Sequence, residues 1–355
     1  MNMVIEGKLV RLRDVEPDDF GRHKRWWRPG AVWQNWDAPW EMKRMLNPES
    51  IEHWLTRLRE PPPSPRQIMQ IETRDGEHIG WVGTYWVSQE TGWRDCGVVI
   101  AEEEHWGHGY GQEAFRLWVD YLIDAHQLTR IGIGTWGGNE RMIHLAARVG
   151  MHEEARFPEA RVVEQRRCDA VRWGMTRAEW QADRAPAREG FRPYRSADWP
   201  RAVELIRQLF QYHRTLQEAP EFILDEARET LFGWLRRRED PIWVWQEGGE
   251  LAALAQGRHA GAIFLEAFVV AEGRRGQGLG ARFLEAIETH LKERGEQDLF
   301  LSMVWPGNPG AIDFYRRHGY DLLNTFELRK GLTQDRRGRK IRFLGRSFHL
   351  GKSVP

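Results

Sequence analysis

Alternating apolar and polar positions predict two β-hairpins, one in each half of the chain. The segments are QIMQIETRDGEHIGWVGTYWV at 67–87 and IWVWQEGGELAALAQGRH at 242–259. Each contains a pair of turn residues, Asp75-Gly76 in the first and Gly248-Gly249 in the second. Because glycine adopts positive φ at little cost, such pairs favour a tight connection between antiparallel strands.

Apolar residues at strand and helix periods predict the same series of elements around both hairpins. A further strand follows each hairpin, at 96–101 and 263–270. The remaining predicted elements are helices at 110–126 and 279–294, strands at 130–135 and 299–304, and helices before the hairpins at 17–27, 49–59, 198–211 and 223–237. This alternation predicts an α/β fold of the α+β type, with a mixed, mostly antiparallel sheet flanked by helices in each half.

Four landmarks recur at one spacing, which indicates a tandem duplication. The pairs are Gly109 and Gly278, Gly111 and Gly280, Asn139 and Asn308, and Gly150 and Gly319, and the numbers of each pair differ by 169. One such coincidence carries little weight, but four at a single offset predict two copies of one fold.

The length agrees with two domains. A chain of 355 residues is long enough for two domains at about 100–200 residues each. Residues 183–190 (DRAPAREG) are polar, contain proline and lack an apolar period, so they are predicted to be a linker. We therefore predict one domain at 1–182, a second at 191–332, and a basic C-terminal extension at 333–355.

Charge and tryptophan content narrow the interpretation. Lys+Arg and Asp+Glu both number 52, so the chain lacks the basic excess typical of a nucleic-acid-binding protein. Of the 19 tryptophans, 14 lie in residues 1–182 and 5 in residues 183–355, so the two copies have diverged.

Cysteine usage and hydropathy indicate the cellular compartment. Cys96 and Cys168 cannot form a disulfide framework for a chain of this size, and neither shows metal-site spacing with histidine, so no metal is predicted. No run approaches 18 apolar residues, and the first residues lack the apolar core of a signal peptide. We therefore expect a cytoplasmic protein without a membrane partner.

The glycine loops WGHGYG (106–111) and RGQGLG (275–280) follow a strand and open a helix. Backbone N–H groups at a helix N-terminus attract anions, and glycines let a phosphate approach them closely. A dinucleotide-binding fingerprint would need a third glycine, but the chain has Ala114 and Phe283 at those positions. The pattern therefore predicts an anion-binding loop of another kind.

The second half resembles the GNAT superfamily of acetyl-CoA-dependent acyltransferases. The resemblance rests on RGQGLG after the strand ending AFVV, and on NPGAIDFYRRHGY at 308–320 downstream. The first half carries WGHGYGQEA at 106–114, NERM at 139–142 and DAVRWGMTRAEW at 169–180. These motifs are similar to those of the branch that acetylates protein N-termini, including those of ribosomal proteins. Together the two resemblances cover nearly all of residues 8–330.

The resemblance implies that acetyl-CoA is the cosubstrate. Its pyrophosphate is expected on the loop amides and its pantetheine arm along the preceding strand. The implied residues of the second domain are Phe268, Val269, Val270, Arg275, Gly276, Gln277, Gly278, Leu279, Gly280 and Asn308. Those of the first domain are Trp106, Gly107, His108, Gly109, Tyr110, Gly111 and Asn139.

The resemblance also implies the catalytic groups. Tyr315 matches the family tyrosine that protonates the departing thiolate, and its alternative role is that of a core aromatic residue. Glu266 matches a frequent general base, and its alternative role is the polar face of a strand. In the first domain Ala146 stands where the second has Tyr315, so Asp95 is the best remaining carboxylate and the acid catalyst is unassigned.

Two segments leave alternatives open. Five tryptophans in RWWRPGAVWQNWDAPW (25–40) either line an acceptor pocket or pack the core between short helices, and we favour packing. The segment TQDRRGRKIRFLGRSFHLGKSVP (333–355) either contacts an anionic partner or adds β-structure, and we favour β-structure.

The leading hypothesis is an N-acetyltransferase that acts on a primary amine of a small molecule or a peptide N-terminus. A tandem acyltransferase with only the second domain active, whose first domain shapes the acceptor site, is one alternative. A non-catalytic coenzyme-A-binding regulator is the other. The acceptor amine is not readable from the sequence, and a homodimer is left open.

Overall fold

The structure, a computed structural model, describes residues 2–302, 304–322, 337–343 and 345–351. The chain divides into two compact units, Met1–Ala185 and Pro186–Pro355. Each unit contains a mixed sheet with a parallel strand pair, and helices pack on its faces.

The first unit is built on an eight-stranded sheet. Its strands are β1 (Val4–Glu6), β2 (Val10–Arg13), β3 (Ile68–Thr73), β4 (His78–Ser88), β5 (Trp93–Ile100), β6 (Arg130–Trp136), β7 (His152–Val163) and β8 (Arg166–Thr176). Its α-helices are α1 (Asp19–Trp26), α2 (Met42–Met45), α3 (Pro48–Arg59), α4 (Tyr110–Ala125), α5 (Glu140–Arg148) and α6 (Arg177–Arg184). The strand order is β1-β2-β3-β4-β5-β6-β8-β7, and only β5 and β6 run parallel.

The second unit repeats the centre of this plan with fewer strands. Its elements are β9 (Gly190–Pro193), α7 (Trp199–Leu216), α8 (Leu224–Leu235), β10 (Ile242–Glu247), β11 (Glu250–His259), β12 (Ile263–Val270), α9 (Leu279–Glu293), β13 (Leu299–Leu301) and α10 (Pro309–Arg317). The strand order is β13-β12-β11-β10-β9, with β12 and β13 parallel.

The helical periods place apolar residues against the sheets. In α4, Phe115, Trp118 and Leu122 are completely buried, because positions three and four apart share one helix face. In the second unit, one buried cluster joins α7 and α8 to the sheet and another joins α9 to the opposite face. Both faces of this sheet are therefore covered by helices.

Several elements differ from the sequence prediction. β1, β2, β7 and β8 extend the first sheet beyond the predicted strands. Helix α6 begins with a capping box between Thr176 and Glu179 and reaches Arg184, so it enters the segment predicted as a linker. Arg184 stabilises this end through hydrogen bonds to the Asp120 carboxylate and the Val149 carbonyl.

The C-terminal residues that the structure describes form a hairpin. Strands β14 (Arg337–Phe343) and β15 (Arg346–Gly351) pair antiparallel in a separate two-stranded sheet. This agrees with the preference for β-structure there, although 323–336 and 352–355 lie outside the described residues.

Candidate functional site

A gap opens between the two parallel strands of the second unit. Strand β12 pairs with β13 only from Ile263–Leu265 to Leu299–Leu301. Beyond Leu265 the ladder ends, so residues 266–270 have no strand partner on the β13 side among the residues that the structure describes. An extended ligand can add backbone hydrogen bonds to an edge of this kind. This is the region in which the pantetheine arm is expected along Phe268, Val269 and Val270.

The glycine loop begins directly after β12. Gly276 and Gly278 have φ angles of +73° and +76°, which side chains other than glycine rarely adopt. A Cβ atom at either position would meet no atom within 4 Å, so the loop backbone is open to a ligand. Helix α9 starts at Leu279, directly after Gly278, which points its first N–H groups into this open space.

Arg275 attaches the loop to the strand. Its Nε donates to the carbonyl of Val270, the last residue of β12, at 3.0 Å. Its guanidinium carbon lies 5.7 Å from the ring centroid of Tyr212, on α7. Neither contact neutralises the charge, and Arg275 forms no ion pair with any residue that the structure describes.

Tyr315 lies on α10, in the cluster that also contains α9. Its ring centroid is 6.3 Å from that of Phe268 and 5.2 Å from that of Phe314. Burial raises the pKa of Tyr315, so the phenol keeps its proton at neutral pH. Within the described part of the chain its hydroxyl has no hydrogen-bond partner. The nearby Tyr320, in contrast, donates its hydroxyl proton to Glu288 at 2.8 Å.

Glu266 occupies a β-bulge at the start of the gap. Gln256 pairs with Ala267 and the adjacent Gly257 with Leu265, so Glu266 is the extra residue of β12. The bulge shifts the alternation: Leu265 and Phe268 both pack with α9, whereas Ala267 packs with α7 and α8.

The ion pair of Glu266 shows which face its side chain occupies. Arg258 contacts both the Glu266 carboxylate and the ring of Phe264, whose register partner it is. Phe264 alternates with Ile263 and Leu265, which face α9, so Glu266 faces α7 and α8. Glu266 and Tyr315 therefore lie on opposite faces of the sheet beside one gap.

The first unit has a corresponding gap and loop. Strand β5 pairs with β6 only from Trp93–Asp95 to Arg130–Gly132, after which the strands separate. Gly107 and Gly109 have φ angles of +80° and +84°, and α4 begins directly after Gly109. The Trp106 indole Nε1 donates to the carbonyl of Ile100, the last residue of β5, at 3.0 Å. Trp106 and Arg275 thus attach their loops in the same manner.

The other predicted loop residues support these geometries. His108 stacks on Tyr110, with ring centroids 5.7 Å apart. A Cβ atom added at Gly111 would lie 3.5 Å from the Ile100 side chain, and one added at Gly280 would lie 3.5 Å from the Phe314 ring, so both positions lie at ordinary packing distance from a neighbouring side chain. The Gln277 side chain donates to the carbonyl of Gly273 at 3.1 Å.

Asp95 is the last residue of β5 that pairs with β6, and 1% of its surface is exposed. Arg172 Nη2, on β8, donates to both carboxylate oxygens at 2.9 and 2.8 Å. The Tyr85 hydroxyl donates to Oδ2 at 3.4 Å. Desolvation of this hydroxyl, followed by the Asp95 charge, raises the pKa of Tyr85 to about 12, although the residue as a whole is exposed. The carboxylate is therefore engaged by two partners, which favours a role in positioning them over direct proton transfer.

The two asparagines of the repeat begin helices. Asn139 accepts from the Met142 amide at 3.2 Å and Asn308 accepts from the Ala311 amide at 3.1 Å, which makes both N-caps. The Asn139 side chain also donates to the Trp36 carbonyl at 3.0 Å and to Thr135 Oγ1 at 3.1 Å. The two asparagines recur at the same spacing because each begins the corresponding helix of its domain. Their contact with the cofactor stays a prediction.

The tryptophans of 25–40 separate into two groups. Trp26, Trp27 and Trp33 are buried in one cluster with Trp81, which agrees with core packing. Trp36 and Trp40 are partly exposed and lie against arginines, Arg141 and Arg161 respectively.

Three polar side chains near the first loop have the composition of a metal site. Glu102, Glu104 and His105 each bring one ligand atom within 4.8 Å of the others. The carboxylates belong to a solvated surface where acidic groups gather without an ion, and we assign the cluster no role. Among the described residues, no helix combines the length and apolar content that crossing a bilayer requires.

Sequence reasoning missed Arg172, Tyr85 and Arg141. The alternating glycines of β6 were a signal for the ion pair between Asp95 and Arg172. A Cβ at Gly132 would lie 3.2 Å from Asp95 Oδ1, and one at Gly134 would lie 3.4 Å from Arg172 Nη1. Glycine at these positions leaves room for a polar pair above the sheet.

Comparisons with known proteins agree with two related domains. A family model described as "Acetyltransferase (GNAT) domain" matches residues 10–152, and one described as "Acetyltransferase (GNAT) family" matches residues 202–320. Among curated proteins, "Uncharacterized protein YkkB" of Bacillus subtilis is 32% identical over 83 residues, which is 23% of this chain and 47% of that protein. The chain thus matches about half the length of this relative.

Among solved structures, this chain shows similarity to an acetyltransferase (GNAT family) from Bacillus anthracis, with 15% identity and a TM-score of 0.40 over 49% of this chain and 98% of that one. A spermidine N-acetyltransferase from Vibrio cholerae, in complex with CoA and spermine, shows 18% identity and a TM-score of 0.41 over 49% and 99% of the two chains.

Proposed function

This chain contains two GNAT acetyltransferase domains, and from that premise we propose that it is an N-acetyltransferase that moves acetyl from acetyl-CoA to a primary amine. The observation that carries the proposal is the arrangement of Glu266 and Tyr315 on opposite faces of the sheet beside the gap after Leu265. Direct attack on a thioester needs a proton acceptor on the side of the amine and a proton donor on the side of the sulfur.

Substrate binding in the second domain is proposed to rest on the backbone. The loop 275–280 and the start of α9 offer amides to the pyrophosphate of acetyl-CoA, and the unpaired side of 266–270 offers hydrogen bonds to the pantetheine arm. The open space at Gly276 and Gly278 fits a phosphate that approaches the backbone closely. The thioester carbon is thereby held at the gap, where an amine from the α7/α8 side can reach it.

The reaction is proposed to proceed by one addition, one elimination and three proton transfers. Glu266 removes a proton from the ammonium group through a bridging water, and the neutral amine adds to the thioester carbonyl. Collapse of the tetrahedral intermediate breaks the C–S bond, and the Tyr315 hydroxyl gives its proton to the departing thiolate. The nitrogen loses its second proton to solvent, which leaves an amide and free coenzyme A thiol.

For the first domain we propose binding of acetyl-CoA, with catalysis there unassigned. Its loop and gap repeat those of the second domain, but Ala146, completely buried in α5, offers no proton donor where the second domain has Tyr315. Asp95, which sequence reasoning proposes as catalytic, is proposed here to hold Arg172 and Tyr85 at the base of the gap. The likeness of this half to the enzymes that acetylate ribosomal-protein N-termini stays a prediction.

Release of free thiol from acetyl-CoA in the presence of a panel of primary amines tests the proposal. The panel should include polyamines, amino sugars and peptides with a free N-terminus. We expect acceptor-dependent thiol release by the full chain and at least a tenfold loss of it in Gly278→Val, because valine strains the positive φ that starts α9.

Gly295→Val is the matched control. Gly295 follows the opposite end of the same helix with a φ of +86° and open space around its Cβ position, so it carries similar strain away from the loop. Equal loss of activity in the two variants, or no thiol release with any amine, would contradict the proposal.

A further inference from the structure

The first domain holds one arginine against two tryptophans beside its glycine loop. The guanidinium carbon of Arg141, in the first turn of α5, lies 4.2 Å from the ring centroid of Trp106 and 4.6 Å from that of Trp36. Arg141 is exposed, and it forms neither an ion pair nor a hydrogen bond with any other residue that the structure describes. Its hydrogen-bond donors are therefore available to a ligand.

Hydrogen bonds hold the indole ring of Trp106 and the backbone of Trp36. Trp106 Nε1 is bonded to the Ile100 carbonyl, and the Trp36 carbonyl accepts from Asn139 Nδ2 at 3.0 Å and from Trp136 Nε1 at 3.3 Å. Asn139 is also the N-cap of α5, so the residue that anchors Trp36 starts the helix that carries Arg141. A stacked guanidinium has fewer rotamers to lose when it binds an anion.

The second domain reaches the same arrangement by a different residue. There the guanidinium belongs to Arg275 in the loop itself; it lies against Tyr212 of α7 and forms no ion pair with a described residue. In both domains, an aromatic ring from the helical region before the hairpin supports one such guanidinium beside the loop. The first domain has Trp106 at the position of Arg275, and the guanidinium of Arg141 lies against the ring of Trp106.

We propose that Arg141 is the phosphate-binding cation of the first domain. It supplies the positive charge that the second domain has at Arg275 and that the first domain lacks at the equivalent residue, Trp106. Its guanidinium would donate two hydrogen bonds to a phosphate group of acetyl-CoA, while the loop amides and the start of α4 donate the others. This inference rests on the proposed binding of acetyl-CoA by the first domain, and it adds the chemical group that the domain uses for recognition.

Coenzyme A binding by the full chain that carries Gly278→Val tests the inference. This substitution is expected to impair binding by the second domain, so the binding that remains is that of the first domain. Calorimetry with coenzyme A is expected to give a Kd at least tenfold higher for Arg141→Gln, and an intermediate Kd for Arg141→Lys, because lysine keeps the charge but loses the planar donors. Pantetheine, which has no phosphate, should bind equally to parent and variant. Dephospho-coenzyme A identifies the group: a persisting loss assigns the pyrophosphate, and a vanishing loss assigns the 3′-phosphate.

A swap variant adds a readout that a merely structural role would not move. In the Arg141→Gln background, Trp106→Arg should restore affinity for coenzyme A, because it recreates the arrangement at Arg275. An unchanged Kd for Arg141→Gln, an equal loss with pantetheine, or a folded swap variant without recovery would overturn the inference.

Absence of coenzyme A binding in the Gly278→Val parent would also overturn the inference. Thiol release by the wild-type chain separates that outcome from failure of the proposed acetyltransferase activity, which is assigned to the second domain.

Discussion

At the scale of single residues, Tyr315 and Tyr320 differ in what their hydroxyl groups contact. Tyr320 donates to Glu288, whereas the Tyr315 hydroxyl has no hydrogen-bond partner among the described residues, and the Tyr315 ring centroid lies 6.3 Å from that of Phe268. Burial raises the pKa of both phenols, so both stay protonated at neutral pH. Only Tyr315 combines a retained proton with an unengaged hydroxyl, which is the state that a general acid requires.

Tyr315→Phe is therefore expected to lower kcat about 100-fold, at the lower end of the usual contribution of a general acid. The substitution removes only the hydroxyl, so the KM for acetyl-CoA should change little. Steady-state kinetics with any acceptor found in the amine panel measures both constants.

Tyr320→Phe is the matched control for this experiment. It removes a hydroxyl from a neighbouring ring of the same cluster but leaves the gap untouched. A Tyr315→Phe enzyme with wild-type kcat, or equal losses in the two variants, would assign Tyr315 to the core.

At the scale of elements, the glycines of β6 show how one strand accommodates a polar pair. Asp95 and Arg172 are 77 positions apart and meet above Gly132 and Gly134 of β6. A side chain on either glycine would compete with the pair for space. Glycine in a strand interior provides no side chain for packing and loses more conformational entropy on folding than other residues. The contact between Asp95 and Arg172 explains why β6 nevertheless has glycine at these two positions.

Gly132→Ala is expected to lower the free energy of unfolding of the first domain by about 2 kcal/mol, within the range for overpacking. Its Cβ would meet the Trp173 carbonyl oxygen at 2.8 Å and Asp95 Oδ1 at 3.2 Å. Gly97→Ala on the adjacent strand is the control, because its Cβ would meet no atom within 4 Å. Urea titration followed by tryptophan fluorescence distinguishes the two, and equal midpoints would refute the packing argument.

At the scale of the whole molecule, the chain has two copies of one architecture that diverged in their side chains. Both keep the parallel strands that separate, the glycine loop and the helix that starts after a positive φ. The copies differ at the positions of Tyr315 and Arg275, which are Ala146 and Trp106 in the first domain. The backbone features shared by both copies are those proposed to bind acetyl-CoA. Of the differing side chains, Tyr315 is proposed for catalysis and Arg275 for cofactor binding.

Unfolding of the first domain is expected to depend on pH through His23. This side chain is completely buried, with Nε2 2.8 Å from Gln70 Oε1, and burial lowers its pKa to about 4. Between the ordinary pKa of about 6.5 and this value, the unfolded chain binds a proton that the folded chain does not. Stability is therefore complete above about pH 6.5 and falls as the pH decreases, by about 3 kcal/mol near pH 4.

Denaturant midpoints measured between pH 7 and pH 4.5 test this expectation. His23→Gln should flatten the decline, because glutamine does not titrate. His53→Gln, which changes an exposed histidine of α3, should leave the decline unchanged. A wild-type free energy of unfolding that is constant over this range would contradict the assignment.

The sequence by itself determined the two-domain plan, the hairpins, the glycine loop before a helix in each half and the repeat at one offset. These are local properties: positive φ at glycine and apolar periods act over a few residues, so they are readable without the fold. The sequence also indicated core packing for Trp26, Trp27 and Trp33, which the structure confirms.

Only the tertiary structure decided which groups face one another. The bulge at Glu266 shifts the alternation that a strand pattern assumes, so that Phe268 and not Ala267 faces α9 and packs beside Tyr315. Arg172 reaches Asp95 from β8, and Trp36 reaches Arg141 across about a hundred residues of chain. Such contacts depend on strand register and on how separate elements pack, and a linear pattern contains neither.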